Sequence, residues 1–445
     1  MVIDRLQEEI VRLKARLRYQ ERTAKEAPFG SSTPSAKVPL KANTPPEGCQ
    51  RRGGAKPGHR GHGRRNIAGE QVTREASVPG PDRCPYCGGP MDPKGTKART
   101  IIEVDPVRKE VIRYELEQRD CGRCHRTFTA RPTGVFAKGL FGNRLLTHLA
   151  VEHYVQGVTL GRLSAQLGLN QGSLWSALHQ LARRLEAVPQ RLLLEYRRTP
   201  VKHADETGWR TDGHNGYAWL FCTEQISLFR FRQSRSASVA KEVFGTERLP
   251  GTLVVDRYNG YNQMPCSIQY CYAHLLREVQ DLGKEFPEAG EVSQFVGSFA
   301  PLLADAMKLR AQGLTAAGFL QQALELKVEI KALVHAPAQH PGIQKIQNIF
   351  REKATRLYHW ANNAAIPAEN NRAERELRPL VIGHCPQDQL RVESEQSAQT
   401  REILMSVLHS LRKRTDKVFD AFKRCLDGLA EDKTPNPYKL LFDSS

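Results

Sequence analysis

The chain has 445 residues, with 66 Lys or Arg against 48 Asp or Glu, so its formal net charge is +18. No apolar run approaches the roughly 18 residues that a membrane span needs, and charges interrupt the apolar positions of the N-terminus, which excludes a secretory signal. We therefore expect a soluble, cytoplasmic, multidomain protein with no membrane partner, whose basic excess indicates binding to nucleic acid.

The first predicted element is a short coiled-coil helix over residues 1–26. Its apolar residues recur at alternating steps of three and four, which is a heptad seam: Ile3, Leu6, Ile10, Leu13 and Leu17. So short a seam is marginal by itself. We expect it to form a homo-oligomer, and the alternative is a solvated helix packed on its own domain.

Residues 27–80 form a predicted linker or arm that is rich in Pro, Gly and basic residues. The stretch QRRGGAKPGHRGHGRRN within it contains no acidic residue, so it can lie along DNA phosphates or enter a minor groove. A merely solubilising linker is the alternative. The candidate DNA-binding residues here are Arg51, Arg52, Lys56, His59, Arg60, His62, Arg64 and Arg65.

Two Cys-x-x-Cys pairs over residues 81–135 predict a structural zinc module. The ligands would be Cys84, Cys87, Cys121 and Cys124, with 33 residues between the pairs. In a reducing compartment such pairs bind metal more often than they form disulfides, and tetrahedral Zn²⁺ accepts four thiolates. Four ordinary thiols are the alternative.

Residues 136–195 are predicted to be helical and to contain a helix-turn-helix motif. Leu163 and Leu167 mark the inner face of its first helix, and Gly168 suits the tight turn. An ordinary helical hairpin fits the same pattern. The exposed candidates for contact with a DNA groove are Gln171, Ser173, Ser176 and His179.

From residue 196 the apolar pattern changes to that of a mixed sheet. Three strands, a helix, a strand and then a strand leading into a helix are expected in this order, which is typical of a ribonuclease-H-like fold. We place this α/β domain at residues 196–400, with a helical insertion at about 280–365 and a basic helical tail over 401–445. The predicted fold class is therefore multidomain α+β and α/β.

Two acids stand at the ends of predicted strands of this domain. Asp205 lies in HADETGW and Asp256 follows LVV. Acids at adjacent strand ends can converge and hold Mg²⁺ or Mn²⁺ for phosphoryl transfer, although turn formation is the commoner role of Asp. Glu206 points to the opposite face of its strand, so Asp205 is the better ligand. Glu374 is the candidate third acid, and its spacing from Asn371 also fits a capping box.

Several motifs taken together resemble those of the insertion sequence 66 family of bacterial transposases, over nearly the whole chain. The motifs are GGAKPGHRGHGR, CPYCGG with CGRC, DETGWR, VVDRYNGY, CYAHLLRE and ENNRAERELRPLVIG. The resemblance implies a DDE transposase that cleaves DNA at element ends and joins them to target DNA. It assigns the catalytic triad to Asp205, Asp256 and Glu374.

The resemblance also implies double-stranded DNA and accessory proteins of the same element as partners, in association with the bacterial nucleoid. Cys271 and His274 match the Cys-x-x-His of the family and are accessory candidates, although a buried, satisfied histidine is the alternative. Arg257 and Arg375 flank the acids and could contact DNA phosphates, or they are ordinary surface charges.

The chain departs from the family pattern at two places. Glu369 stands where the family usually has Asp, and the segment after Gly383 lacks the usual aromatic and Gly-rich stretch. The second departure affects both the end of the catalytic domain and the expected activity. Two other functions therefore stay open: a non-catalytic DNA-binding protein derived from a transposase, and a nuclease that cuts without strand transfer.

Overall fold

The computed structural model describes residues 111, 118–120, 127–129, 133–136, 139–211, 214–382, 394–431 and 436–443. The coiled coil, the basic arm and the four zinc-module cysteines lie outside these residues and stay predictions. Strands β1 (Gln118–Asp120) and β2 (Thr127–Thr129) pair in antiparallel fashion. They precede and follow the segment that contains Cys121 and Cys124.

Four helices come next, and the predicted helix–turn–helix lies among them: α1 (Asn143–Tyr154), α2 (Leu160–Leu167), α3 (Gln171–Leu185) and α4 (Ala187–Arg198). Gly168 ends α2 with a φ of 58°, a conformation that glycine adopts without strain. The Asn170 side chain then caps α3 by accepting hydrogen bonds from Gly172 N and Ser173 N. Leu163 and Leu167 are buried, as the pattern predicts.

A five-stranded mixed sheet is the larger of the two sheets in the described residues. It consists of β3 (Val201–Thr211), β4 (His214–Cys222), β5 (Ser227–Arg232), β6 (Thr252–Val255) and β7 (Ser267–Tyr270), in the order β5-β4-β3-β6-β7. β3 is antiparallel to β4 and β4 to β5, whereas β6 is parallel to both β3 and β7. All four residues of β6 are buried, as expected of a parallel strand covered on both faces.

Helices follow the strands in the predicted order. They are α5 (Ala237–Phe244), α6 (Tyr272–Glu285), α7 (Gly290–Lys308), α8 (Ala316–His335), α9 (Pro341–Glu352), α10 (His359–Asn362), α11 (Asn371–Ile382), α12 (Glu395–Arg412), α13 (Val418–Glu431) and α14 (Pro437–Phe442). In the expected insertion, α7 packs on α6, and α8 contacts α7, α9 and α10. α11 returns to the sheet and packs on β3 and β4.

Helix α12 covers the free edge of β5 and also packs on α3. Ser406 Oγ accepts a hydrogen bond from Phe229 N at 2.9 Å, and Ser410 Oγ accepts one from Ser227 N at 3.0 Å. These hydroxyls satisfy edge-strand donors that would otherwise be open to another chain. The predicted domain boundary at residue 400 falls inside this helix.

His179 is half-buried, although the pattern of α3 predicted an exposed side chain. Its ring stacks on Trp175, and its Nδ1 lies 2.7 Å from Thr400 Oγ1 of α12. The packing of α12 against α3 therefore covers part of the His179 side chain, which the pattern of α3 alone did not reveal.

Candidate active site

The parallel register of β3 and β6 places two acids at the same level of the sheet. His203 pairs with Val254 at the end of the ladder, and Asp205 and Asp256 each lie two residues further along. Asp205 is on β3, and Asp256 follows directly after β6. A period of two residues turns both side chains towards the same face of the sheet. The expected convergence at neighbouring strand ends is therefore a consequence of this register.

Glu374 approaches the same face from the first turn of α11. Asn370, directly before this helix, is buried and fastens it to β3: its Nδ2 donates to Ala204 O at 2.8 Å, and its Oδ1 lies 2.9 Å from His203 Nδ1. Glu374 Oε1 is shielded from solvent and has no hydrogen-bond partner among the described residues. This oxygen therefore makes no capping-box hydrogen bond to Asn371.

Glu376 lies round the helix from Glu374, as predicted from their separation of two residues. It forms an ion pair with Lys413 at 2.6 Å and accepts a hydrogen bond from Ser227 Oγ at 2.7 Å. Glu376 thus ties α11 to β5 and the end of α12, and it takes no part in the acidic cluster.

The electrostatics of the cluster favour a bound cation. Burial raises the pKa of Asp205 well above its usual value, and the negative charges of Glu206, Asp256 and Glu374 raise it further. The Glu206 backbone N–H donates to Asp205 Oδ1 at 2.9 Å and only partly offsets these effects. Partly buried carboxylates whose charges repel one another are stabilised by a divalent cation with a preference for oxygen ligands. The donor set of Asp205, Asp256 and Glu374 therefore fits a divalent cation that prefers oxygen ligands.

Sequence reasoning missed a second network on the opposite face of β3. Glu206 accepts hydrogen bonds there from Arg235 Nε and Nη2 at 2.9 and 2.7 Å, and from Tyr261 Oη at 2.5 Å. The Arg235 guanidinium lies over the Tyr258 ring, 4.4 Å from its centroid, and Tyr258 N donates to Asp256 Oδ1. Glu206 thus anchors the loop that contains Asp256. Only its adjacency to Asp205 could have drawn attention to it.

Cys271 and His274 lie at the start of α6, beside Glu374. His274 Nδ1 is 3.8 Å from Glu374 Oε1. Cys271 Sγ is buried and accepts a hydrogen bond from Asn370 N at 3.2 Å. Both accessory candidates therefore contact the segment that presents the third acid.

The described candidates for DNA contact are distributed over two surfaces. Gln171, Ser173 and Ser176 are exposed on the first turns of α3, and Arg375 is exposed on α11. Arg257 is half-buried and forms an ion pair with Glu278 of α6. Ser173 and Ser176 also line a cavity of about 440 Å³ between α3 and the segment around Leu140.

Comparison with known families identifies the chain. Residues 138–399 match the family described as Transposase IS66 family. The chain belongs to the IS66 family of transposases. The matched range contains all three acids as well as Cys271 and His274, whereas the four zinc-module cysteines precede it.

Membership of the IS66 family supports a transposase function and, with it, DNA binding. No curated protein matches this IS66 transposase closely enough to be counted as similar. Within the part of the chain that the structure describes, every helix is too short or too polar to span a membrane.

Proposed function

We propose that this protein is a DDE-type transposase with a ribonuclease-H-like core, in which Asp205, Asp256 and Glu374 hold Mg²⁺ or Mn²⁺. The observation that carries the proposal is the β3–β6 register, which sets Asp205 beside Asp256 on the face that Glu374 approaches. Three antiparallel strands followed by two parallel ones, in the order β5-β4-β3-β6-β7, support the assignment of the core.

A bound divalent ion would activate water and stabilise the charge that develops on the phosphodiester during cleavage and strand transfer. The side chains of the protein provide the position and the electrostatic environment. Asp205 is held by β3 and by the N–H of Glu206, Asp256 by the N–H of Tyr258, and Glu374 by the attachment of Asn370 to β3. Asp205 and Asp256 thus accept backbone hydrogen bonds, and the helix that bears Glu374 is attached to β3, before DNA binds.

We further propose that DNA is held by the helix–turn–helix of α2 and α3, by Arg375 and by the basic arm. The exposure of Gln171, Ser173 and Ser176 at the N-terminal end of α3 supports the first part, since recognition helices contact bases with these positions. A zinc module, a homo-oligomer formed through residues 1–26, and accessory proteins of the element complete the proposed assembly. Neutralisation of phosphates predicts that affinity falls steeply with salt concentration.

A strand-transfer assay tests the proposal directly. An oligonucleotide with the end of the element is incubated with protein, target DNA and Mg²⁺, and the products are compared for wild type, Asp256→Asn and Asp281→Asn. Asp281 is a matched control, because it is an acid on α6 whose side chain is 44% exposed and whose partner is Lys284. We expect joined products from wild type and the control, and none from Asp256→Asn.

The same assay separates the two alternative functions. Nicked DNA without joined strands, again lost in Asp256→Asn, would identify a nuclease. Tight binding with no cleavage by any protein, even with the accessory proteins present, would identify a non-catalytic DNA-binding protein. That second result would make the segment after Gly383 the first place to look for the cause.

A further inference from the structure

A sulfur, a nitrogen and an oxygen converge where the N-terminus of α6 meets α11. Cys271 is the N-cap of α6, and His274 is three residues further along on the same side of the helix. One ligand atom from each of Cys271, His274 and Glu374 lies within 4.8 Å of those of the other two. The Nδ1 of His274 and the Oε1 of Glu374 are 3.8 Å apart, which is too far for a hydrogen bond.

The nitrogen and the oxygen of this cluster are shielded from water. Among the described residues, neither His274 Nδ1 nor Glu374 Oε1 has a hydrogen-bond partner. Buried polar atoms without partners are uncommon in folded proteins and call for an explanation such as an ion. The two side chains keep 26% and 16% of their surface exposed, so an ion can reach them and keep one position open to solvent.

Cys271 is placed as a metal-binding thiolate would be. Its Sγ is buried at a helix N-terminus and accepts a hydrogen bond from Asn370 N at 3.2 Å, and the backbone of Ala273 and His274 also bonds to it. Burial and the negative charge of Glu374 raise the pKa of this thiol to about 12, although these backbone hydrogen bonds act in the opposite direction. A positive ion at the sulfur would complete the stabilisation of a thiolate.

The donor set determines which ion fits. Sulfur, imidazole nitrogen and carboxylate oxygen together are typical of Zn²⁺, which binds three protein ligands and a water at open sites. Mg²⁺ prefers oxygen ligands and would not select this cluster. Bonds of about 2.0–2.3 Å place tetrahedral ligand atoms roughly 3.3–3.6 Å apart. Small side-chain rotations would close the present distances to these values.

We propose that Cys271, His274 and Glu374 form a second cation site, selective for Zn²⁺ and similar thiophilic ions, which shares Glu374 with the magnesium site. Because one carboxylate serves both sites, a zinc ion here withdraws Glu374 from the magnesium ligands and inhibits DNA cleavage. The metal-binding part stands on the cluster alone, whereas the inhibitory part rests on the proposed function.

The metal-binding part is tested on the full chain by titration of metal-stripped protein with Co²⁺, followed through thiolate-to-cobalt absorption and metal content after gel filtration. The cysteines near the N-terminus are unchanged in every variant, so any metal that they bind contributes equally to each metal content. We expect wild type to retain one more equivalent than Cys271→Ser or His274→Ala. Cys266→Ser is the control, since Cys266 is a partly buried thiol of the same domain outside the cluster, and it should match wild type.

Excess Mg²⁺ should leave the additional cobalt in place, and Zn²⁺ should displace it. Equal metal content in wild type and His274→Ala would overturn the proposal. His274→Ala also keeps the test valid if Cys271→Ser fails to fold. Displacement of the additional cobalt by Mg²⁺ would also overturn it.

The inhibitory part is tested by adding Zn²⁺ to the Mg²⁺-dependent cleavage assay, with each rate normalised to that of the same protein without zinc. Half-inhibition of Cys271→Ser should require at least about tenfold more Zn²⁺ than that of wild type. Identical zinc sensitivity would refute the sharing of Glu374. If wild type cleaves nothing even with Mg²⁺ alone, the proposed function fails, while the cobalt titration still decides the metal site.

Discussion

Glu206→Ala should destabilise the protein and release the loop that contains Asp256. The Glu206 side chain is 1% exposed and binds both Arg235 and Tyr261, so its removal leaves a guanidinium and a buried phenol without their acceptor. The loop from Asp256 to Tyr261 is then held by fewer contacts. We therefore expect both a lower free energy of unfolding and a weaker magnesium site.

The size of the effect follows from burial. Loss of one partner of a buried ion pair costs about 3–5 kcal/mol. Arg235 is 23% exposed and can partly rehydrate, which favours the lower end, about 3 kcal/mol. In a domain of this size that corresponds to a fall of about 6 °C in the melting temperature. Glu206→Gln keeps the volume and one acceptor, so it should cost only about 1 kcal/mol.

Thermal unfolding of the metal-free protein measures the first effect, and the Mg²⁺ concentration for half-maximal DNA cleavage measures the second. Glu242→Ala is the matched control, because Glu242 also binds an arginine, Arg232, but is 46% exposed. It should cost less than about 1 kcal/mol and leave the Mg²⁺ requirement unchanged. If Glu206→Ala unfolds at the same temperature as the control, or needs no more Mg²⁺ than wild type, Glu206 does not anchor the loop.

Three further predictions concern the sheet. Gly251→Ala should lower stability by at least about 2 kcal/mol in denaturant unfolding, because its φ is 79° and an added Cβ would lie 2.1 Å from Pro200 O; normal stability would contradict this geometry. Ser406→Ala should cost about 1–2 kcal/mol in denaturant unfolding, because it leaves Phe229 N without its acceptor beneath α12, and unchanged stability would contradict this. The pKa of Asp205 is raised above 3.8 in the folded state, so above pH 3.8 the folded protein holds a proton that the unfolded chain has lost. The free energy of unfolding of the metal-free protein should therefore fall as the pH rises above 3.8. This dependence on pH should be weaker in Asp205→Asn, and an unchanged dependence would exclude Asp205 as its source.

Much of the central domain could be anticipated from local patterns. The alternating and continuous apolar runs predicted the order of strands and helices, and the acids at strand ends indicated where Asp205 and Asp256 lie. Gly168 marked the turn between α2 and α3 for a local steric reason. Such features depend on residues within a few positions of one another, so they can be read without knowledge of the partner strands.

Contacts between residues that are far apart in the sequence could not be predicted from such local patterns. Glu206 meets Arg235 and Tyr261 through loops on the other face of β3. His179 is partly covered by α12, whose contacting residue, Thr400, lies 221 residues further along the chain. Nothing in the immediate neighbourhood of either residue indicates these partners, because each partner is brought in by the packing of a separate element.

The amino-acid sequence by itself determined the elements, the charge and the acids of the candidate site, since these follow from composition and short-range periodicity. Only the tertiary structure decided which of these groups meet. The parallel pairing of β3 with β6 placed Asp205 level with Asp256, and the docking of α11 brought Glu374 to them and to Cys271 and His274. These contacts depend on strand register and helix packing, which are set by the burial of entire sheet and helix faces rather than by any single motif.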